Sequence, residues 1–125
     1  MLGDKDAIAT VAVKDLKAAA GFYKSTLGLR RLASEGEEAV TFRCGNSTLL
    51  VYRSQYAGTN KATAITWTVG DELDAIVAAL KAKGVSFEHY ELPGLRREGD
   101  IHIGGDMRVA WLKDLDGNIH SLANH

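Results

Sequence analysis

Thr10-Val11-Ala12-Val13-Lys14-Asp15-Leu16 and Thr66-Trp67-Thr68-Val69-Gly70-Asp71-Glu72 carry the same pattern twice. Sliding the chain by 56 residues lays Thr10 on Thr66, Val13 on Val69, Asp15 on Asp71 and Gly28 on Gly84. A self-match at a fixed offset is the signature of a duplicated structural unit. Each copy opens on a β-rich run free of Gly and Pro, Ala7–Val13 and Thr63–Val69. Each run then meets an aspartate placed to accept hydrogen bonds from the exposed amides of a first helical turn.

Outward from those aspartates the period becomes helical. Leu16, Ala20, Tyr23 and Leu27 form one stripe of a predicted helix over Leu16–Leu27, and Leu73, Ile76, Val77 and Leu80 form its counterpart over Glu72–Lys83. Gly28 and Gly84 follow as C′ residues, where a left-handed backbone closes a helix at little cost. Strands are then expected at Leu29–Ser34, Ala39–Cys44 and Thr48–Arg53 in the first copy, the last two joined across Gly45-Asn46. In the second copy they are expected at Val85–Glu91, Arg108–Lys113 and Ile119–Ala123, with Asp116-Gly117-Asn118 as the final turn.

The reading is an α+β chain of two tandem βαβββ modules, about 7–53 and 63–123, in one domain over 1–125. Curved mixed sheets are expected to enclose a cavity, with the helices on the outer faces. The copies differ most between Leu92 and Asp106, where the second carries an extra Gly-rich loop.

Composition removes several functions. The 125 residues are 46% hydrophobic and 25% charged, the balance of an ordinary globular domain. Fifteen basic against sixteen acidic residues leave a formal charge of −1, so no global field favours nucleic acid. No segment approaches a membrane span and the first residues do not form a signal peptide, so no membrane partner and a cytoplasmic location are expected. The single cysteine, Cys44, excludes an internal disulfide and cysteine-rich zinc sites.

The tandem βαβββ order, with Val13-Lys14-Asp15-Leu16, Gly21-Phe22-Tyr23 and Leu27-Gly28-Leu29, resembles the vicinal oxygen chelate superfamily. That group includes glyoxalase I, bleomycin-resistance proteins and extradiol dioxygenases. Ala110-Trp111-Leu112-Lys113-Asp114-Leu115-Asp116-Gly117-Asn118 resembles the family's closing hairpin, usually Asp-Pro-Asp-Gly-Asn. The resemblance covers essentially the whole chain and implies a divalent metal held by His, Gln or Glu from the first and last strands of each module. Counted from the motifs, those positions are Ile8, Ala64, Leu50 and Ser121, none a usual ligand. The expectation is therefore no metal and no cofactor.

The remaining candidate ligands are His89, His102, His120 and His125. No two have a metal-type spacing, and His125 ends the chain. His120 is expected to point away from Ser121 and pack under the helix, and His102 is expected on a surface loop that could close over the cavity. Cys44 has no neighbour to lower its pKa, and Arg96-Arg97 beside Glu98 reads first as solvated surface.

What remains is a pocket. Alternation places Ile8, Thr10 and Ala12 on its wall, with Ala64, Thr66 and Thr68 opposite and Thr48, Leu50, Tyr52, Ser121 and Trp111 completing it. His102 joins them from the loop. This mixture of aliphatic, aromatic and hydroxyl groups suits a weakly polar organic ligand. The leading expectation is a metal-free small-molecule-binding protein of glyoxalase/bleomycin-resistance type. The resemblance implies a homodimer, with ligand held between modules or subunits. Two other readings stay open: a glyoxalase- or dioxygenase-like metal-dependent lyase or oxygenase with atypical ligands, and a scaffold for interaction alone.

Overall fold

The computed structural model of the chain describes residues 1–124, apart from the side chain of Glu35. Two compact units emerge, Met1–Thr59 and Asn60–His125, and each is described by itself.

In the first unit β1 (Ala9–Val13) leads into α1 (Leu16–Gly21), then β2 (Arg30–Glu35), β3 (Ala39–Cys44) and β4 (Ser47–Arg53). The sheet order is β1-β4-β3-β2, with β1 parallel to β4 and the other pairs antiparallel. The helix forms where expected because Asp15 caps it, its Oδ1 accepting from the Ala18 amide at 3.1 Å. It runs as an α-helix only to Gly21; Phe22–Thr26 widen into a π turn in which Leu27 N donates to Phe22 O. Ala19, Ala20 and Tyr23 are buried on the helical segment, and Val11, Val13, Val40, Phe42, Leu49 and Val51 on the strands. Among the described residues, the core of this unit is apolar apart from the Tyr23 hydroxyl.

The second unit repeats the plan with additions. β5 (Thr63–Thr68) leads through a 3₁₀ turn at Gly70–Glu72 into α2 (Leu73–Ala82). β6 (Phe87–Glu88), β7 (Arg96–Glu98), β8 (Ile101–Gly104), β9 (Met107–Lys113) and β10 (Ile119–Ala123) follow. β5 is parallel to β10, as β1 is to β4, and the order runs β5-β10-β9-β8-β7 with β6 also on β9. Leu73, Val77 and Leu80 of α2 are buried, three of the four expected stripe residues, with Ile76 half-buried. The helix ends as Gly28's twin predicts. Gly84 adopts φ +91°, its amide bonds Lys81 O, and Val85 N reaches back to Leu80 O.

Three expectations need correction. Asp71 caps nothing: it sits inside the 3₁₀ turn, and neither that turn nor α2 has a side-chain cap. Gly70, standing where the first copy has Lys14, takes φ +58° and turns the chain early, so the aspartate never reaches the cap position. The strand expected over Val85–Glu91 pairs only at Phe87–Glu88. The Gly-rich loop is not loose, because Arg96–Glu98 and Ile101–Gly104 form an antiparallel hairpin across Gly99-Asp100. This hairpin, through β8, takes the stretch of β9 edge left by the shortened β6.

Candidate ligand-binding site

The parallel ladders fix the face on which the expected pocket residues stand. Thr10 pairs with Leu50 and Ala12 with Tyr52 in the first unit; Thr66 pairs with Ser121 in the second. Because strand side chains alternate, these residues stand on the face opposite the helix-covered Val11, Val13, Leu49 and Val51 in the first unit, and Leu122 and His120 in the second. In the first unit that face is open: Thr10 and Tyr52 are exposed, Ala12, Thr48 and Leu50 half-buried, and Ile8, just before β1, is 57% exposed. In the second unit Ala64, Thr66 and Thr68 are exposed while Ser121 is buried. The structure thus brings the expected residues together as two sets, one on each unit.

Chemistry concentrates in the second unit. Trp111 stands opposite Ser121 across the β9–β10 ladder, and its indole Nε1 donates to Thr63 Oγ1 at 3.2 Å. Thr66 Oγ1 and Ser121 Oγ share a hydrogen bond of 2.6 Å. The ring of His102 meets Trp111 edge-on at 4.8 Å between centroids, and Tyr90 meets the same indole at 5.3 Å.

His102 is the largest departure from expectation. Placed on a surface loop by the sequence reading, it is only 1% exposed, because β8 pairs it with Val109 and turns its ring inward. Its Nε2 accepts the Tyr90 amide at 2.9 Å, so the ring proton resides on Nδ1. Burial, reinforced by Glu88, pushes the Tyr90 phenol above its ordinary pKa and keeps it protonated. Among the described residues neither Tyr90 Oη nor His102 Nδ1 has a hydrogen-bond partner.

These two residues line one side of a cleft of about 490 Å³. Its other walls are Glu91, Leu92, Pro93 and Leu95, with Arg96 and Arg97 from β7. The apolar wall is a tight turn: Leu95 N donates to Leu92 O, Pro93 fixes the first corner, and Gly94 takes the second at φ +80°. Leu95 lies so close over Gly104 that any Cβ there would collide with it. The hairpin is tethered to α2 by Asp100, whose carboxylate meets Lys81 Nζ and His89 Nε2, each at 2.8 Å. Those two bonds hold the Asp100 carboxyl below its usual pKa.

From the sequence, Tyr90 with Glu88 and Glu91 reads as a candidate general acid or base but first as a solvated strand face, and Arg96-Arg97 reads first as surface. The signal was present. Two short runs separated only by Gly99-Asp100 form a hairpin pattern, and a hairpin there makes His102 an inward-facing strand residue.

His120, expected to pack under the helix, lies next to Ser121 in β10, so that alternation turns it to the opposite face of the strand. It is fully buried with its ring edge-on to Trp67 at 5.5 Å and Nε2 4.0 Å from Asp114 Oδ2. Burial pushes its pKa below the ordinary value, against the pull of Asp114. His125 lies outside the described residues.

The residues at the four metal-ligand positions do not fit a metal. Three are aliphatic, and the fourth, Ser121, spends its hydroxyl on Thr66. Among the described residues no three His, Cys, Asp or Glu side chains group so as to hold one.

A profile of the glyoxalase/bleomycin resistance protein/dioxygenase superfamily matches residues 7–119, and the chain belongs to that superfamily. Solved structures agree on the fold. Lactoylglutathione lyase from Agrobacterium tumefaciens is 19% identical, with TM-score 0.68 over 95% of this chain and 92% of that one. Fosfomycin resistance protein FosX from Listeria monocytogenes is 17% identical, with TM-score 0.72 over 96% and 92%. A glyoxalase family protein from Enterococcus faecalis is 17% identical, with TM-score 0.72 over 98% and 99%. No curated protein is found to be similar to the chain.

Proposed function

We propose that this chain is a metal-free binding member of its superfamily, holding a small organic molecule against the open faces of its sheets and acting as a homodimer in the cytoplasm. The observation that carries this reading is the donor set. Where the family resemblance places metal ligands, the ladders put Leu50 beside Thr10 and a Ser121 already bonded to Thr66, while Ile8 and Ala64 offer only hydrocarbon. A divalent ion needs several anionic or imidazole donors at about 2.0–2.6 Å, and hydroxyl and methyl groups do not supply them. The same faces offer threonine hydroxyls, Tyr52 and Trp111, which suit hydrogen bonding and stacking.

Elemental analysis of purified protein, before and after dialysis against zinc, nickel, manganese and iron, tests the proposal. The expected result is less than about a tenth of an equivalent of each metal. Ligand hits in a thermal-shift screen should persist in excess chelator, since stabilisation follows RT ln(1 + [L]/Kd) without a metal term. Close to one equivalent of any of these metals would instead favour the enzymatic reading with atypical ligands. Light scattering at twice the chain mass is the expected reading for the homodimer.

A further inference from the structure

We infer that the first unit carries a second binding site, a groove between α1 and β2 that takes a small organic dianion, a phosphate monoester or a dicarboxylate. The site stands apart from the open sheet faces, on the face that α1 covers. In the β2–β3 ladder Arg31 pairs with Phe42 and Ser34 with Val40, so both stand on the side of the sheet that packs the core. The helix packs on β3 and β4, and Arg31 and Ser34 are left exposed beside it. What results is a groove of about 540 Å³ with the buried Ala20 and Val40 in its lining.

Gly21 is the residue that points to an occupant. It lines the groove in helical backbone, φ −60° and ψ −44°, so no left-handed turn calls for glycine there. A Cβ added to it would meet nothing within 4 Å, so no close approach within the chain calls for glycine either. Glycine in a helix lowers stability relative to alanine. A molecule lying against the bare backbone accounts for it. The chain passes into the π turn at the next residue, and such turns recur at functional sites.

The charge on the walls selects the occupant. Lys17 and Lys24 flank Gly21 four residues before and three after it, and Arg31 lines the groove from β2. Among the described residues neither lysine has an ionic or hydrogen-bond partner. Arg31 Nη2 donates to Ser34 Oγ at 2.7 Å, which orients the guanidinium and leaves its other N–H groups and the serine proton to donate. Three cations against the carboxylate of Glu37 give the described walls a charge of +2. A phosphate monoester carries about −1.5 to −2 at neutral pH, and guanidinium beside ammonium groups is oxyanion-recognition chemistry. The apolar lining receives a short hydrocarbon or ring body.

Amide NMR titrations of the isotope-labelled chain with phenyl phosphate and with isophthalate test this, with benzoate as the monoanion of similar body. The expected result is saturable shifts centred on Gly21, Ser34 and Gly36, and at least about tenfold tighter binding of the better dianion than of benzoate. The tighter dianion names the anionic group. Lys24→Gln should weaken that dianion about threefold to tenfold and reduce its salt dependence. Gly21→Leu fills the groove and should abolish saturation while its urea midpoint stays at or above that of the parent. A glycine of merely structural value would show the reverse.

Benzoate binding as tightly as both dianions would overturn the inference, as would unchanged binding in Gly21→Leu or no saturation below about 10 mM. A lowered midpoint in Gly21→Leu would overturn its premise, since the space beside Gly21 would then be filled in solution. The same titration keeps the two proposals apart. Shifts at Thr10, Leu50, Thr66 or Ser121 in place of Gly21 sink this site and favour the open faces. Shifts at Gly21 in a protein that holds stoichiometric metal sink only the metal-free reading.

Discussion

Where β4 of the first unit carries Leu49, β10 of the second carries His120, and both are buried at equivalent points of their parallel ladders. The substitution typifies the difference between the units. All four histidines of the chain fall in its second half, as do the buried Asp114 and Asn118 and the added hairpin. The groove beside α1 in the first unit draws its charge from exposed side chains instead, Lys17, Lys24, Arg31 and Glu37. One copy has kept a plain apolar core, and the other has taken on polar groups that need geometry to support them. Burying a polar group is costly unless it finds a partner.

The two closing turns give the largest expected contrast. In the second unit Asp114 accepts from the amides of Asp116 and Asn118, both at 2.9 Å, and from Asn118 Nδ2 at 2.8 Å. In the first unit the matching turn is held by Ser47 Oγ on Cys44 O at 3.0 Å, in solvent. Asp114→Ala strands buried donors and should cost about 3 kcal/mol in urea unfolding, while Ser47→Ala should cost about 0.5 kcal/mol or less. Equal losses would mean that the polar second unit gains nothing from its burial.

That contrast also shows what the sequence could convey. Sequence pattern placed β3 and β10 to the residue, β3 through Val40 and Phe42 on its buried face and β10 through the Asp116-Gly117-Asn118 turn before it. Thr10 and Thr66, matched by the offset, lie beside Leu50 and Ser121 in their ladders. Tyr90 and His102 were harder. Their environment depends on a hairpin occupying the edge of β9, a contact between segments that no local pattern specifies. The Gly-rich composition masked a strand pair only three residue pairs long. The early turn at Gly70 is likewise visible only in the backbone, since Asp71 reads as a cap as well as Asp15 does.

His120→Leu makes the second unit resemble the first at the point where they diverge most. With its folded pKa below the unfolded value of about 6.5, His120 stays neutral in the folded chain while the unfolded chain takes up the proton. Stability is therefore full above about pH 6.5 and declines as pH falls toward the folded pKa. The variant should lie within about 1 kcal/mol of the parent at pH 7.5 and lose less on acidification. Urea midpoints measured from pH 7.5 down to pH 5 provide the check, and parallel acid branches would show that the buried imidazole contributes nothing to acid sensitivity.

The smallest effect tests the duplicated aspartates, identical in sequence and unlike in structure. Asp15 bonds the Ala18 amide, so Asp15→Ala should cost about 0.5–1 kcal/mol. Asp71 makes no cap and acts only through its charge near the start of α2, so Asp71→Ala should cost about 0.3 kcal/mol. Asparagine separates the two causes, because its side-chain oxygen caps as well as that of aspartate but carries no charge. Asp15→Asn should recover most of what Asp15→Ala loses, and Asp71→Asn should recover none. Salt should erase the Asp71 effect and leave most of the Asp15 effect, since screening acts on charge and a cap bond is local. Rescue by asparagine at both positions would mean that the second aspartate swings into the cap in solution, and that the copies are more alike than their backbones.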